Sequence, residues 1–397
     1  MITLNNYERS TFAAYKLFKQ DSGLHSPSMH ELLERLPMEI NIDACFLSNP
    51  YATDLFLNYL EQDLLEDTCR LRKFLEFYPS QNQSISRLLA QSLDLSPEYF
   101  FLGNGATEII QAVLHNFTRK KIAIILPTFS SYHEFVKDDV EVVYYPLKKQ
   151  SNFQLDIQSY LQFISIEQPN TVVIINPNNP NGGYLKYNQI KTLIQELDRI
   201  ETIEHILLDE SFIHFSFEDE SYEFKSATKL FRDFEKKLII IKSMSKDFGI
   251  AGIRAGYAIM SAEKVKYLLR HGYLWNISGL AQYFFEIYAQ EQFLSQYEIV
   301  RRRYVQEAQT FFQQLGDIPQ LKTYPTGANF ALLELLDGTT SSDFFARLLI
   351  QHGIYTRDCT DKKGLEGEFI RISAKTSIEN QQMLDSIQQA FGKKGSI

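Results

Sequence analysis

An α/β fold built on a mainly parallel sheet is predicted for this 397-residue chain, and three observations carry the prediction. Four short apolar runs, at 122–126, 172–175, 206–208 and 238–241, are rich in β-branched residues and too short for helices. Each therefore reads as a strand buried on both faces. Helical patterns alternate with these runs, notably 188–197 and 106–117, where Ile109, Ile110, Val113, Leu114 and Phe117 share one face. The third observation is the set of residues at the end of each run: Pro127-Thr128-Phe129, then NPNNPNGG at 176–183, then Asp209-Glu210-Ser211-Phe212, then Ser243 to Lys246. Ligands bind outside the carboxyl ends of the strands in open α/β sheets. An aromatic, an asparagine-rich loop, an acid and a lysine thus meet at one edge. Four ordinary loops are the other reading, because Asn, Pro and Gly are turn formers. The mutual consistency of the four ends favours a site.

Taken in order, residues 1–48 are mixed in character, with a helix near 29–36 bracketed by Pro27 and Pro37. Asn49-Pro50 marks a turn, and 55–75 reads as helical with some irregularity until Tyr78-Pro79-Ser80 breaks it. A helix at 85–93 closes before Pro97, and the alternating α/β stretch comes next. Beyond residue 258 the helical segments 263–270, 280–288, 297–314 and 378–391 enclose strand-like 330–335 and 369–373, which suggests a smaller α+β lobe. The expected division is an N-terminal arm (1–48) contributing to the small domain, a large domain (49–278) and a small C-terminal domain (279–397). The tail at 392–397 is expected to fray.

Composition excludes several classes. Hydrophobic residues make up 44% and charged residues 22%, an ordinary globular balance, and the net charge of −9 argues against nucleic acid or an anionic membrane as partner. Cys45, Cys69 and Cys359 lie far apart with no CxxC pair, so neither a zinc framework nor a disulfide scaffold is expected. No apolar run approaches the ~18 residues of a membrane span, and MITLNNYERSTF lacks the features of a signal peptide. A cytoplasmic enzyme without a metal is the expectation.

The chemistry centres on Lys246. It lies just past a buried strand end, with Ser243 and Ser245 before it and Arg254 eight residues after it. A desolvated amine there is a nucleophile, and two hydroxyls with a guanidinium suit a phosphate. A phosphate-bearing aldehyde, pyridoxal 5′-phosphate (PLP), fits both. Its other requirements can be sought one at a time. Asp209, ending an apolar strand, can keep the pyridine nitrogen protonated, a helix N-cap acid being the alternative. Gly105, Ala106 and Thr107 open a helix and supply amides and a hydroxyl for the phosphate. GNGATE is not a dinucleotide fingerprint, because Glu108 replaces its third glycine. Asn179 can donate to the phenolic oxygen, and Phe129 can cover the ring unless it is a plain core phenylalanine.

These segments carry a family resemblance. GNGATE, PTF, NPNNPNGG, DESF and SMSKDFGIAGIRAGY, in that order, resemble the motifs of fold-type I PLP enzymes. The resemblance is to class I/II aminotransferases, in the branch of histidinol-phosphate aminotransferases and threonine-phosphate decarboxylases, and covers about 45–391. It implies a seven-stranded-type sheet in the large domain, PLP linked to Lys246 as a Schiff base, Asp209 on the pyridinium and Asn179 on the phenolic oxygen. It further implies that Tyr78, in FYPS, reaches the cofactor phosphate of a neighbouring subunit, so that the active form is a homodimer. Arg371, in FIRIS, resembles the arginine that clamps a substrate carboxylate, with Arg357 as a second anion contact and Asn276 as a further substrate contact.

One position departs from the family pattern. Many relatives carry tyrosine where this chain has Phe212, which leaves Asn179 as the main partner of the phenolic oxygen. Phe212, the RDC segment and Trp275-Asn276-Ile277 are similar to threonine-phosphate decarboxylases. The favoured expectation is nonetheless an aminotransferase, taking an amino donor and a keto acceptor, with a possibly phosphorylated substrate. A decarboxylase is the alternative, followed by a PLP lyase or cyclase. A non-catalytic binding protein would need a lost lysine or aspartate, and both are present. His25 and His30 are candidates for an anionic substrate group, solvated loop histidines being the other reading.

Overall fold

The computed structural model describes residues 4–392. Its strands, in chain order, are β1 (Ile42–Asp43), β2 (Phe100–Asn104), β3 (Lys121–Leu126), β4 (Glu141–Pro146), β5 (Thr171–Ile175), β6 (His205–Asp209), β7 (Leu238–Ser243) and β8 (Ala255–Ile259). The C-terminal part adds β9 (Leu321–Thr323), β10 (Phe330–Leu335), β11 (Ile354–Tyr355), β12 (Arg357–Asp358) and β13 (Phe369–Ser373).

Seven of these form one sheet in the order β2-β8-β7-β6-β5-β3-β4. The pairs from β7 through β6, β5 and β3 to β4 are parallel, and β8 runs against both of its neighbours. The four apolar runs of the sequence are β3, β5, β6 and β7, and β5 and β7 are buried along their whole length. Isoleucine, valine and leucine fill them because helices cover both faces of a parallel sheet. The strands that the apolar runs do not reveal have other compositions. β4 is a partly exposed edge, β8 reads AGYAI and packs through Gly256, and β2 passes without a turn into the helix Gly105–Phe117. A Cβ on Gly256 would stand 2.9 Å from the backbone nitrogen of Ala106, so this close approach excludes a larger residue.

A second, antiparallel sheet, β12-β13-β10-β9, carries its own apolar core. The N-terminal segment joins that core: Tyr15, Leu32, Ile42 and Cys45 cluster with residues from 304–391, and β1 pairs in parallel with β11. The helix expected near 29–36 is Met29–Arg35, but an additional helix, Asn6–Asp21, precedes it. Asn5 and Glu8 close its start with a reciprocal capping box, a short polar signal that apolar periodicity does not register. The irregular 55–75 segment resolves into Pro50–Leu60, a π-turn at Glu61–Leu65 and Thr68–Glu76. The final helix is Ser377–Gly392, so the expected fraying at 393–397 lies outside the described residues.

The segment after β7 is held from outside the sheet. The Asn49 N–H donates to the Lys246 carbonyl (2.9 Å), and the Thr53 hydroxyl donates to that of Gly249 (2.8 Å). Gly249 has φ +64°, and a Cβ there would lie 2.4 Å from the Asn49 carbonyl oxygen. Gly249→Ala is therefore expected to cost about 2 kcal/mol or more, from left-handed strain plus overpacking, read as a lowered denaturant midpoint.

Candidate active site

A cavity of about 1070 Å³, mouth included, opens at the carboxyl ends of β3, β5, β6 and β7. Phe129, Asn179, Asp209 and Lys246, one from each strand end, all line it. Ala106, Thr107, Phe212, Ser243, Ser245, Arg254, Arg357 and Arg371 line it as well. β4, the next strand after β3 in the chain, lies outside it in the sheet, and the chain then returns across β3 to form β5. That reversal opens the crevice between the β3 and β5 ends, where α/β proteins bind ligands.

Asp209 is buried, and its carboxylate accepts hydrogen bonds from the Ser211 N–H (2.8 Å) and the Tyr132 hydroxyl (2.9 Å). Burial raises its pKa, and those two donors only partly oppose the rise. Among the described residues it has no ion-pair partner, so a cationic ring nitrogen is the group it suits. Burial and the facing carboxylate push the Tyr132 phenol well above its ordinary range, which keeps it a donor.

The phosphate groups gather at the start of the helix Gly105–Phe117. Arg254, in the left-handed region at φ +62°, donates to the carbonyls of Ala251 (3.1 Å) and Asn104 (3.3 Å). Gly105 makes this possible, since a Cβ there would lie 2.4 Å from an Arg254 Nη. Gly105 itself does not line the cavity; it clears the space that the guanidinium occupies. The Ser243 hydroxyl accepts from the Ser245 N–H (3.2 Å), while the Ser245 hydroxyl is buried without a partner among the described residues. An orphaned hydroxyl beside a guanidinium and helix amides is the donor set of a phosphate cup, so these residues fit PLP.

Among the described residues Lys246 has no ion-pair partner, and burial, Arg371 and Arg254 together lower its pKa to about 8. The Asn179 side-chain oxygen accepts from Arg371 Nη1 (2.7 Å), and the other Nη donates to the Cys45 carbonyl (2.8 Å). Arg371 Nε is buried without a partner among the described residues. Arg357 is closed off differently, through both oxygens of Asp361 (2.6 and 2.7 Å).

Besides Gly105, three expected residues stand outside the cavity lining. Tyr78 is 86% exposed and its ring lies 5.7 Å from that of Trp275, outside the cavity of its own chain. Asn276 does not reach the cavity: its amide is spent on the Leu102 carbonyl (3.0 Å) and the Glu108 carboxylate (2.9 Å), which brace the helix start. His30 is outside the cavity, whereas His25 lines it and pairs with Glu134 at 2.9 Å. Sequence reasoning missed Tyr132, Cys45, Ser130 and Lys362. Tyr132 sits three residues beyond Phe129 in a recognised segment and was within reach, but Lys362, in a polar loop, left no signal.

The sequence model of the family "aminotransferase class I and II" matches residues 50–387. An L-serine phosphate decarboxylase of Campylobacter jejuni is 53% identical over 392 residues, 98% of this chain and 99% of the relative. An L-serine phosphate decarboxylase of Sulfurospirillum multivorans is 46% identical over 379 residues, 95% of each chain. A solved structure of a decarboxylase from S. multivorans matches with a TM-score of 0.91 at 44% identity over 96% of each chain. These relatives overturn the expectation of an aminotransferase, and with it the amino donor and keto acceptor pair. The motifs hold the cofactor in either chemistry. The bond that breaks depends on how the substrate Cα is turned, which no motif records.

PLP capture by the cofactor-free protein should follow the Lys246 amine, rising as pH increases toward about 8 and levelling above it. Borohydride should fix a lysine–PLP adduct in the wild type and none in Lys246→Ala. A flat pH profile, or an adduct in the variant, would show that another amine captures the cofactor.

Proposed function

The chain belongs to the class I and II aminotransferase family of PLP-dependent enzymes, and within it we propose that it decarboxylates a phosphorylated amino acid, L-serine phosphate being the first to test. The observation that carries this reading is near-complete alignment, at 53% and 46% identity, with two L-serine phosphate decarboxylases. The charge of the cavity supports it. Such a substrate brings a carboxylate and a phosphate, and the cavity offers Arg371 and Lys362, neither paired with a carboxylate among the described residues, beyond the groups assigned to the cofactor.

Bound PLP supplies an electron sink for the pair left on Cα when a bond there breaks. Asp209 holds the proton on the ring nitrogen, and Tyr132 and Ser211 fix the carboxylate for that task. Ser243, Ser245, Arg254, Ala106 and Thr107 hold the cofactor phosphate. Phe129 covers the ring, and Phe212, edge-on to Phe330 at 5.1 Å, contributes an apolar wall where a hydroxyl would otherwise stand. Asn179, with its oxygen committed to Arg371, has its amide nitrogen left to donate and would be the partner of the phenolic oxygen. Arg371, its two Nη groups engaged, offers the orphaned Nε to the substrate carboxylate and so orients it. Lys246 Nζ would be the group that gives a proton to Cα, since an amine with a pKa near 8 both accepts and gives protons at neutral pH.

The homodimer is part of the same proposal. Leu75, Phe77, Tyr78, Leu274 and Trp275 are exposed large hydrophobic residues, and Tyr78 among them would reach the neighbouring cofactor phosphate. Free Cys45, Cys69 and Cys359 support a reducing, cytoplasmic setting. Among the described residues no helix is long and apolar enough to cross a membrane, and no cluster of metal ligands occurs.

The PLP-loaded protein, given L-serine phosphate and no keto acid, should release carbon dioxide without accumulating pyridoxamine phosphate. Accumulation of pyridoxamine phosphate without carbon dioxide would reject the proposal. Arg371→Lys should lower kcat/KM on the order of 10- to 100-fold, because an ammonium does not reproduce the guanidinium's simultaneous contacts. Sedimentation equilibrium should give a dimer; a monomer that retains full activity would reject the role of Tyr78.

A further inference from the structure

The cations facing the cavity are not equally free. Arg357 is neutralised by Asp361, His25 faces Glu134, and Arg254 and Lys246 serve the cofactor. Arg371 and Lys362 remain, and neither has a carboxylate partner among the described residues. Lys362 Nζ donates to the hydroxyl of Ser130 (2.6 Å), the residue after Phe129. The nearest acid in sequence, Asp361, is already bound by Arg357 and by Lys19 at 2.8 Å. Burial, with Arg357 the next largest contribution, lowers the Lys362 pKa to about 8, so the ammonium is held where an anion would relieve it.

The loop that carries Lys362 is built to a fixed position. Lys362 N–H donates to the Cys359 carbonyl (3.0 Å), and Leu365 N–H donates to that of Lys362 (3.2 Å). Gly364, at φ +86°, lies so close to the end of β3 that a Cβ would stand 2.8 Å from Leu126 Cβ and 3.2 Å from Pro127 N. The neighbouring Lys363 faces another way, its ammonium 3.6 Å from the Tyr144 ring centroid. One of two consecutive lysines is thereby aimed at the cavity.

Resting on the decarboxylase reading above, we propose that Lys362, held in position by the Ser130 hydroxyl, forms the subsite for the substrate's phosphate, while Arg371 takes its carboxylate. The division comes from the donors. Arg371 is tied to Asn179, beside the cofactor, and a planar guanidinium with one free Nε suits a carboxylate. Lys362 is a compact charge with rotatable donors, which suits a tetrahedral dianion, and the buried Ser130 hydroxyl positions it. This subsite makes the phosphate a condition of binding, so L-serine should be a poor substrate.

The test uses the PLP-loaded, full-length protein. Lys362→Met should raise KM for L-serine phosphate about tenfold or more and change kcat less; Lys362→Arg should recover most of the loss, and Ser130→Ala should show a smaller rise. Calorimetric titration with inorganic phosphate should show weaker binding to Lys362→Met than to wild type by a similar factor. Unchanged KM and phosphate affinity in Lys362→Met, in a wild type that decarboxylates L-serine phosphate, would overturn the subsite alone. A wild type that releases no carbon dioxide would overturn the reading of the reaction. Phosphate titration would then decide the subsite by itself, equal affinity in wild type and variant rejecting it and a loss in the variant supporting it.

Discussion

One guanidinium joins the parts of this molecule at the place where they must agree. Arg371 lies on β13 of the C-terminal lobe, and its Nη groups donate to Asn179 in the loop after β5 and to the Cys45 carbonyl in the N-terminal segment. Lobe, sheet and N-terminal segment have separate local reasons to fold. The sheet packs its β-branched strands between helices, and the lobe packs its antiparallel strands on Tyr304, Phe345 and Phe391. Their mutual placement determines whether a substrate carboxylate, the cofactor ring and the lysine can meet. Hydrogen bonds from a buried cation set that placement with angular precision, which apolar packing alone does not provide.

The electrostatics of the site have a consistent logic. Groups that must hold still are neutralised or saturated: Arg357 by Asp361, and Asn276 by Leu102 and Glu108. Groups that can meet a ligand keep an unsatisfied atom, as do Ser245 Oγ and Arg371 Nε. Lys242 and Asp247 form a buried ion pair outside the cavity lining, and Asp247 directly follows Lys246 in the chain.

Where the sequence reading failed, the failure has a cause. It favoured transamination because the motifs it recognised are those that bind PLP, and cofactor binding is common to the family's chemistries. Phe212 was the one local departure, and its likeness to decarboxylases agrees with the relatives this chain matches, but a single missing hydroxyl does not establish which bond is aligned for cleavage. Asn276 was assigned to substrate by the family resemblance; in space its amide turns inward to brace the helix start. Lys362 escaped notice because TDKKGLEG has no periodicity, no cap and no flanking apolar run, and its neighbour Lys363 is chemically identical.

The sequence by itself determined four of the sheet's buried strands, β3, β5, β6 and β7, and the edge on which the chemistry lies. Those features are written in local composition, because a strand covered on both faces must be continuously apolar and a parallel strand must end where its neighbours end. It also determined PLP, since the lysine, aspartate, asparagine and arginine that such a cofactor needs come after ordered strand ends. Only the tertiary structure decided which cations remain uncompensated, which lysine of an adjacent pair faces the cavity, and which asparagine has an amide to spare. Those properties depend on partners hundreds of residues away in the chain, as in the Arg371–Asn179 and Lys362–Ser130 contacts, and no local pattern encodes them.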